Sequence, residues 1–131
     1  MRKYSLLYLA FIFVALLGVL NFAALSLYLY WTIWWFDNVM HFLGGFSLGF
    51  FSLYIFYGSG LFGDKVSFSK AILISFVFVM ILGGIWEVFE YINGLILSTE
   101  KYSLDVAHDL LADALGAISA LWTARQFLKF S

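Results

Sequence analysis

Cysteine is absent from the chain, and so is proline. Without thiols there is no disulfide, no thiolate metal site and no cysteine nucleophile, and the redox compartment leaves no mark on the sequence. Without proline, no helix is kinked by a missing amide donor. Charge is scarce too: Asp, Glu, Lys and Arg make up 11% of the 131 residues, against roughly 25% in a soluble domain. The net charge is −1, which excludes the basic footprint that nucleic acid requires, so no nucleic-acid partner is expected.

Apolar residues are abundant. The chain is 64% hydrophobic and 22% aromatic, with a mean hydropathy of +0.98. A soluble domain of this length has too little interior to hide so much apolar surface, so part of its solvent is lipid. Four apolar runs approach or exceed the roughly 20 residues that cross a bilayer. They extend over about 6–30, 36–62, 71–97 and 104–127. The expectation is a single transmembrane domain over 1–131, an all-α integral membrane four-helix bundle. The first run is too long for the 7–15-residue h-region of a signal peptide, and no A-x-A cleavage site follows it, so it reads as a retained helix.

Lysine and arginine set the orientation. Arg2, Lys3, Lys65, Lys70, Arg125 and Lys129 fall on one side of a four-span topology, and Lys101 alone on the other. Six against one predicts both termini on the cytoplasmic face of the cell membrane. Tyr28, Tyr30, Trp31, Trp34 and Trp35 then belt the outer interface.

On that topology the acidic and histidine residues converge. Asp37 and His41 open the second run, Glu87 and Glu90 close the third, and Asp105, His108, Asp109 and Asp113 open the fourth, so all eight fall in the outer half of the bilayer. At about 1.5 Å per residue they form two layers. Asp37, Glu90, Asp105 and His108 lie near the interface, with His41, Glu87, Asp109 and Asp113 below them. The i,i+4 and i,i+3 spacings put each group on one helix face. That face turns inward, because an acid against lipid costs about 2.5–3.5 kcal/mol. Asp37 is also placed to N-cap the second helix. Gly44, Gly45 and Gly49, then Gly83 and Gly84, and finally Ala112, Gly116 and Ala120 flank these positions as small residues that let helices approach closely.

Six carboxylates and two histidines, with no Lys or Arg on the same helix segments, cannot all stay charged in a low-dielectric site. Either several are protonated or a cation binds. Oxygen-rich donors with one or two imidazoles suit a divalent metal: Zn, Mn, Mg, Fe or Ca. The candidate ligands are His41, Glu87, Asp109, Asp113, Asp37 and His108, and the candidate general bases are Glu90 and Asp105.

The residues Asp37-Asn38-Val39-Met40-His41-Phe42-Leu43-Gly44-Gly45 resemble the D-x-x-x-H-F segment of VanZ-like membrane proteins and of the related YjdF-like family. Glu87-Val88-Phe89-Glu90 is similar to the E-x-x-E of the YjdF-like group. Asp105 to Ala117 is similar to the D-x-x-x-D or S-x-x-D-x-x-x-N-x-x-G ending of both, with Asp113 standing where VanZ-like chains carry asparagine and His108 outside the pattern. The resemblance covers about residues 35–120. It implies a small polytopic membrane protein and, for some members, a link to glycopeptide-antibiotic resistance.

Three functions fit these residues. The first is a membrane-embedded metal-dependent hydrolase or transferase acting on a lipid or lipid-linked substrate. The second is a cation- or proton-linked binding or transport protein. The third is a non-catalytic envelope factor of the antibiotic-resistance type. Against transport by a monomer, the membrane-embedded inner halves of all four runs carry no charge, Arg125 lying at the end of the fourth.

Overall fold

The computed structural model describes residues 2–61, 67–95 and 100–130. Lys65, the side chains of Arg2 and Lys3, and the expected helix ends at Phe62 and Leu97 lie outside the described residues. Within them the chain is all-α, with helices α1 (Arg2–Ser26), α2 (Leu29–Thr32), α3 (Phe36–Leu53), α4 (Phe68–Asn93) and α5 (Tyr102–Ala124). A π-helical turn, Tyr54–Gly58, prolongs α3. Three stretches are long and apolar enough to cross a membrane: Tyr4–Ser26, Phe36–Gly58 and Phe68–Asn93.

Helix ends follow local chemistry. The first helix stops at Ser26 and does not run on to Tyr30, because Tyr28 adopts a left-handed backbone (φ 56°) and starts the separate turn α2. The helix α3 begins after Trp35, which supplies no side-chain cap. Asp37 therefore does not cap this helix. It sits in the first turn, where a carboxylate suits the positive end of the helix dipole and projects toward neighbouring helices. At the start of α4 the Ser67 hydroxyl accepts the Lys70 amide (3.3 Å). That helix ends in a Schellman motif: Gly94 is left-handed (φ 64°), Leu95 N–H donates to Glu90 O (2.9 Å) and Gly94 N–H to Tyr91 O (3.4 Å). The motif ends the helix just beyond Glu87 and Glu90 and fixes the pitch of the turn that carries them.

The long helices alternate in direction. At one end Tyr4 meets Tyr54, and Phe68 meets both Trp122 and Phe130. At the other end Tyr30 meets Phe36, and Tyr91 meets Tyr102. The central helix is α3, which touches α1, α4 and α5 and packs most extensively on α5. Glycines explain that closeness. A Cβ on Gly45 would collide with the backbone oxygen of Asp113 and lie 2.6 Å from its Cα; one on Gly116 would press on Phe42 O and lie 2.6 Å from Phe46 N. One on Gly49 would lie 2.7 Å from the Ala120 methyl. Buried hydroxyls add directional bonds: Ser47 donates to Ala10 O (2.9 Å), Ser52 to Gly49 O (2.8 Å), and Ser75 to the Ser52 hydroxyl oxygen (2.7 Å). Phe50, Leu53, Ala71, Ala120 and Leu121 fill the end of the core away from the acidic residues.

Candidate metal centre

His41 sits one turn below Asp37 on α3 and is 8% exposed. Its Nε2 lies 4.0 Å from Asp37 Oδ1, 3.9 Å from Glu87 Oε1 and 3.8 Å from Asp109 Oδ2, so three helices converge on one ring nitrogen. Its Nδ1 lies 3.5 Å from Asp113 Oδ2 on the opposite edge of the ring. Glu90, one turn from Glu87, joins the same neighbourhood. Donor atoms of His41, Glu87 and Glu90 lie within 4.8 Å of one another, as do those of Asp37, His41 and Asp109. Glu87, Asp109 and Asp113 are buried; Asp37, Glu90 and Asp105 are half-buried.

The glycines admit this arrangement selectively. A methyl on Gly83 would lie 2.6 Å from Asp113 Oδ2, and Gly45 underlies the Asp113 backbone. Asp113 thus enters a slot whose walls, on α3 and α4, lack side chains. Gly44 and Gly84, the sequence neighbours of these two, face no comparable crowding.

Two expected ligands are repositioned. His108 does not reach the centre: it lies about 100° around the helix from Asp109, is exposed, and pairs through Nδ1 with Glu100 Oε2 at 3.0 Å. Asp113 is inside the cluster but on the Nδ1 side. With the ring proton on Nδ1, the imidazole donates to Asp113 and turns the Nε2 lone pair toward Asp37, Glu87 and Asp109. A carboxylate in that role orients a ligand without being one. Asp105, expected beside Glu90 as a base, lies at the mouth of the site and lines a cavity of about 350 Å³ together with Asp37.

The separations of 3.8–4.0 Å are too long for hydrogen bonds. They approach the ligand–ligand distances of a metal site: about 3.4 Å across a tetrahedral zinc with bonds near 2.1 Å, and roughly 3.4–4.8 Å around calcium with bonds near 2.4 Å. Glu87 Oε1 is fully buried and has no hydrogen-bond partner among the described residues, a condition that buried carboxylate oxygens rarely keep.

The cavity has walls that sequence reasoning assigned only to interfacial anchoring. Tyr30, Trp31 and Trp34 line it together with Asp37, Glu100 and Asp105. Tyr30 donates to Asn21 Oδ1 (2.8 Å), and burial, followed by the nearby Asp37 and Glu90 carboxylates, pushes its phenol up to about 12. Asn38, also at this cavity, had no signal in the sequence beyond its place beside Asp37.

A family profile described as "Predicted membrane protein (DUF2238)" matches residues 2–129. A protein of Thermotoga maritima described as uncharacterized is 32% identical over 90 residues, which cover 66% of this chain and 46% of that protein. The chain thus spans about half the length of this relative. No solved structure matches. With its apolar helices and a profile match across nearly its whole length, the chain belongs to the DUF2238 family of predicted membrane proteins.

Proposed function

We propose that this protein is a membrane-embedded, divalent-metal-dependent hydrolase or transferase acting on a lipid or lipid-linked substrate. In this reading α5 is a fourth span, both termini are cytoplasmic, and the centre faces the outer leaflet of the cell membrane. His41 Nε2, Asp37, Glu87 and Asp109 hold the ion, and Asp113 fixes the imidazole from behind. Such an ion supplies a Lewis acid for a phosphoryl or carbonyl oxygen and lowers the pKa of a bound water. Glu90, within reach of the same donors, is the general base, and Asp105 guards the entrance. The resemblance to VanZ-like and YjdF-like proteins is consistent with an envelope substrate.

One observation carries the reading. A single imidazole nitrogen stands among three carboxylates at 3.8–4.0 Å, one of them holding a buried oxygen without a hydrogen-bond partner among the described residues. The donor set is all oxygen and imidazole, and the described segments around it supply no lysine or arginine to balance it.

The test is metal content, by mass spectrometry, of detergent-purified protein prepared without chelator. About one equivalent of a divalent ion in wild type, lost in His41→Ala and in Asp109→Ala, is the expected result. Absence of metal even after Zn²⁺, Mn²⁺ and Ca²⁺ are offered refutes it. Phospholipid and lipid-phosphate turnover by the loaded protein, abolished in Glu90→Gln, then tests catalysis.

A further inference from the structure

The cavity above the centre combines two features that neither metal binding nor membrane anchoring requires together. Tyr30 and Trp31, both lining the cavity, meet edge to face, with centroids 6.4 Å apart and planes at 83°. Tyr30 is further braced by Phe36 at 5.3 Å and by its bond to Asn21. Trp34 leaves 82% of its surface uncovered. The same space is lined by Asp37, Asp105 and Glu100, the last paired with His108. No lysine or arginine is among the described residues lining the space.

Aromatic rings and carboxylates lining one cavity suit one chemical class above others, a compact organic cation such as a quaternary or primary ammonium. A bare metal ion gains little from the rings, and an anionic headgroup is repelled by the acids. From these features we infer that the cavity binds the ammonium headgroup of a membrane lipid. The inference rests on the proposed enzymatic reading and names the substrate class for that site. The occupant is a lipid because the cavity lies at the span ends, beside apolar helix surface that acyl chains can follow. Asp37 belongs to both compartments and is 4.0 Å from His41 Nε2. An ammonium held by Asp37 and Asp105 therefore places the phosphate and ester bonds of the same molecule next to the centre.

The test uses the full chain in detergent, with its own tryptophans as reporters. The probes are dihexanoyl phosphatidylcholine and dihexanoyl phosphatidylglycerol, which share acyl chains and phosphate but differ in the ammonium. A saturable fluorescence change at a tenfold or lower concentration for the choline lipid is expected. Trp31→Leu and Asp105→Asn should each shrink that preference at least fivefold, with helical circular dichroism unchanged. If either variant fails to fold, Trp34→Leu, at an already exposed position, replaces it. Equal responses to both lipids overturn the inference and leave the rings as interfacial anchors. Free choline acting at the same concentration as the lipid also overturns it, in favour of a soluble ammonium ligand. Both titrations are repeated after chelator dialysis. A preference that persists in protein that never takes up metal upholds this inference while the metal reading fails. Metal uptake with no lipid preference refutes this inference alone.

Discussion

Gly45→Ala is the substitution whose effect the geometry fixes most firmly. The added methyl would lie 2.6 Å from the Asp113 Cα and closer still to its carbonyl oxygen, both backbone atoms that no rotamer change can remove. Ordinary contact begins near 3.4 Å, so α3 and α5 must separate by 0.8 Å or more (3.4 minus 2.6). Overpacking of a fitted interface costs about 1–3 kcal/mol, and a backbone collision belongs at the upper end. Gly44→Ala is the internal control. Its methyl would meet only Asp113 Oδ1 at 3.8 Å, and replacing a mid-helix glycine by alanine gains about 0.5–1 kcal/mol. The two neighbours should therefore differ in sign and by about 2–4 kcal/mol, at least tenfold in the folded-to-unfolded ratio. Chemical unfolding in mixed micelles, followed by circular dichroism, reads this difference directly. Because the displaced residue is the Nδ1 partner of His41, metal uptake should fall in Gly45→Ala and persist in Gly44→Ala. Equal stability of the two variants would refute the close packing of α3 on Asp113.

Asp113→Asn should weaken metal affinity by about 10–100-fold without abolishing it, as loss of an orienting carboxylate does. Asp109→Asn should abolish binding, and competition against a fluorescent chelator separates the two. His108→Ala should leave metal content unchanged and stability within about 0.5 kcal/mol, because its pair with Glu100 is exposed; a lost equivalent of metal would return His108 to the ligand set. The Tyr30 phenol is raised from 10.0 to about 12, so its contribution to stability is complete below pH 10 and is lost as pH rises from 10 to 12. Tyr30→Phe should lose less stability over that interval in alkaline unfolding, and identical profiles would place Tyr30 outside the acidic neighbourhood.

Three apolar spans and the grouping of the acidic residues were legible because both signals are local. Apolar runs set the helices, and i,i+4 steps set the faces on which Asp37/His41 and Asp105/Asp109/Asp113 lie. The buried-to-exposed order of those residues follows their spacing along each helix. Other features depended on how one helix is rotated against another, which a single sequence does not encode. His108 and Asp109 are adjacent, yet one faces outward and the other reaches His41. Gly44 and Gly45 differ in the same way. Which ring nitrogen meets Asp113 is likewise set by interhelical geometry. Helix ends show both situations: Gly94 stops α4 as glycine commonly does, whereas the left-handed Tyr28 that ends α1 carries no signal in its residue type. Trp31 and Trp34 read as interfacial anchors, and only their placement around a cavity suggests more.

The slot that receives Asp113 has a consequence for biosynthesis. Among the described residues three stretches are long and apolar enough to cross a bilayer, and α5, with three aspartates and a histidine, is not one of them. In the proposed four-span topology an aspartate carried to the centre of the span opposes insertion by about 2.5–3.5 kcal/mol, so α5 is the helix that needs its companions already in place. When the ribosome has delivered α1 to α4, His41 and Glu87 are present without Asp109 or Asp113, and the bare Gly45 and Gly83 surfaces await the last helix. Docking α5 then completes the polar site and the tightest helix seam together. Before that point His41 and Glu87 stand without the α5 carboxylates that complete the site.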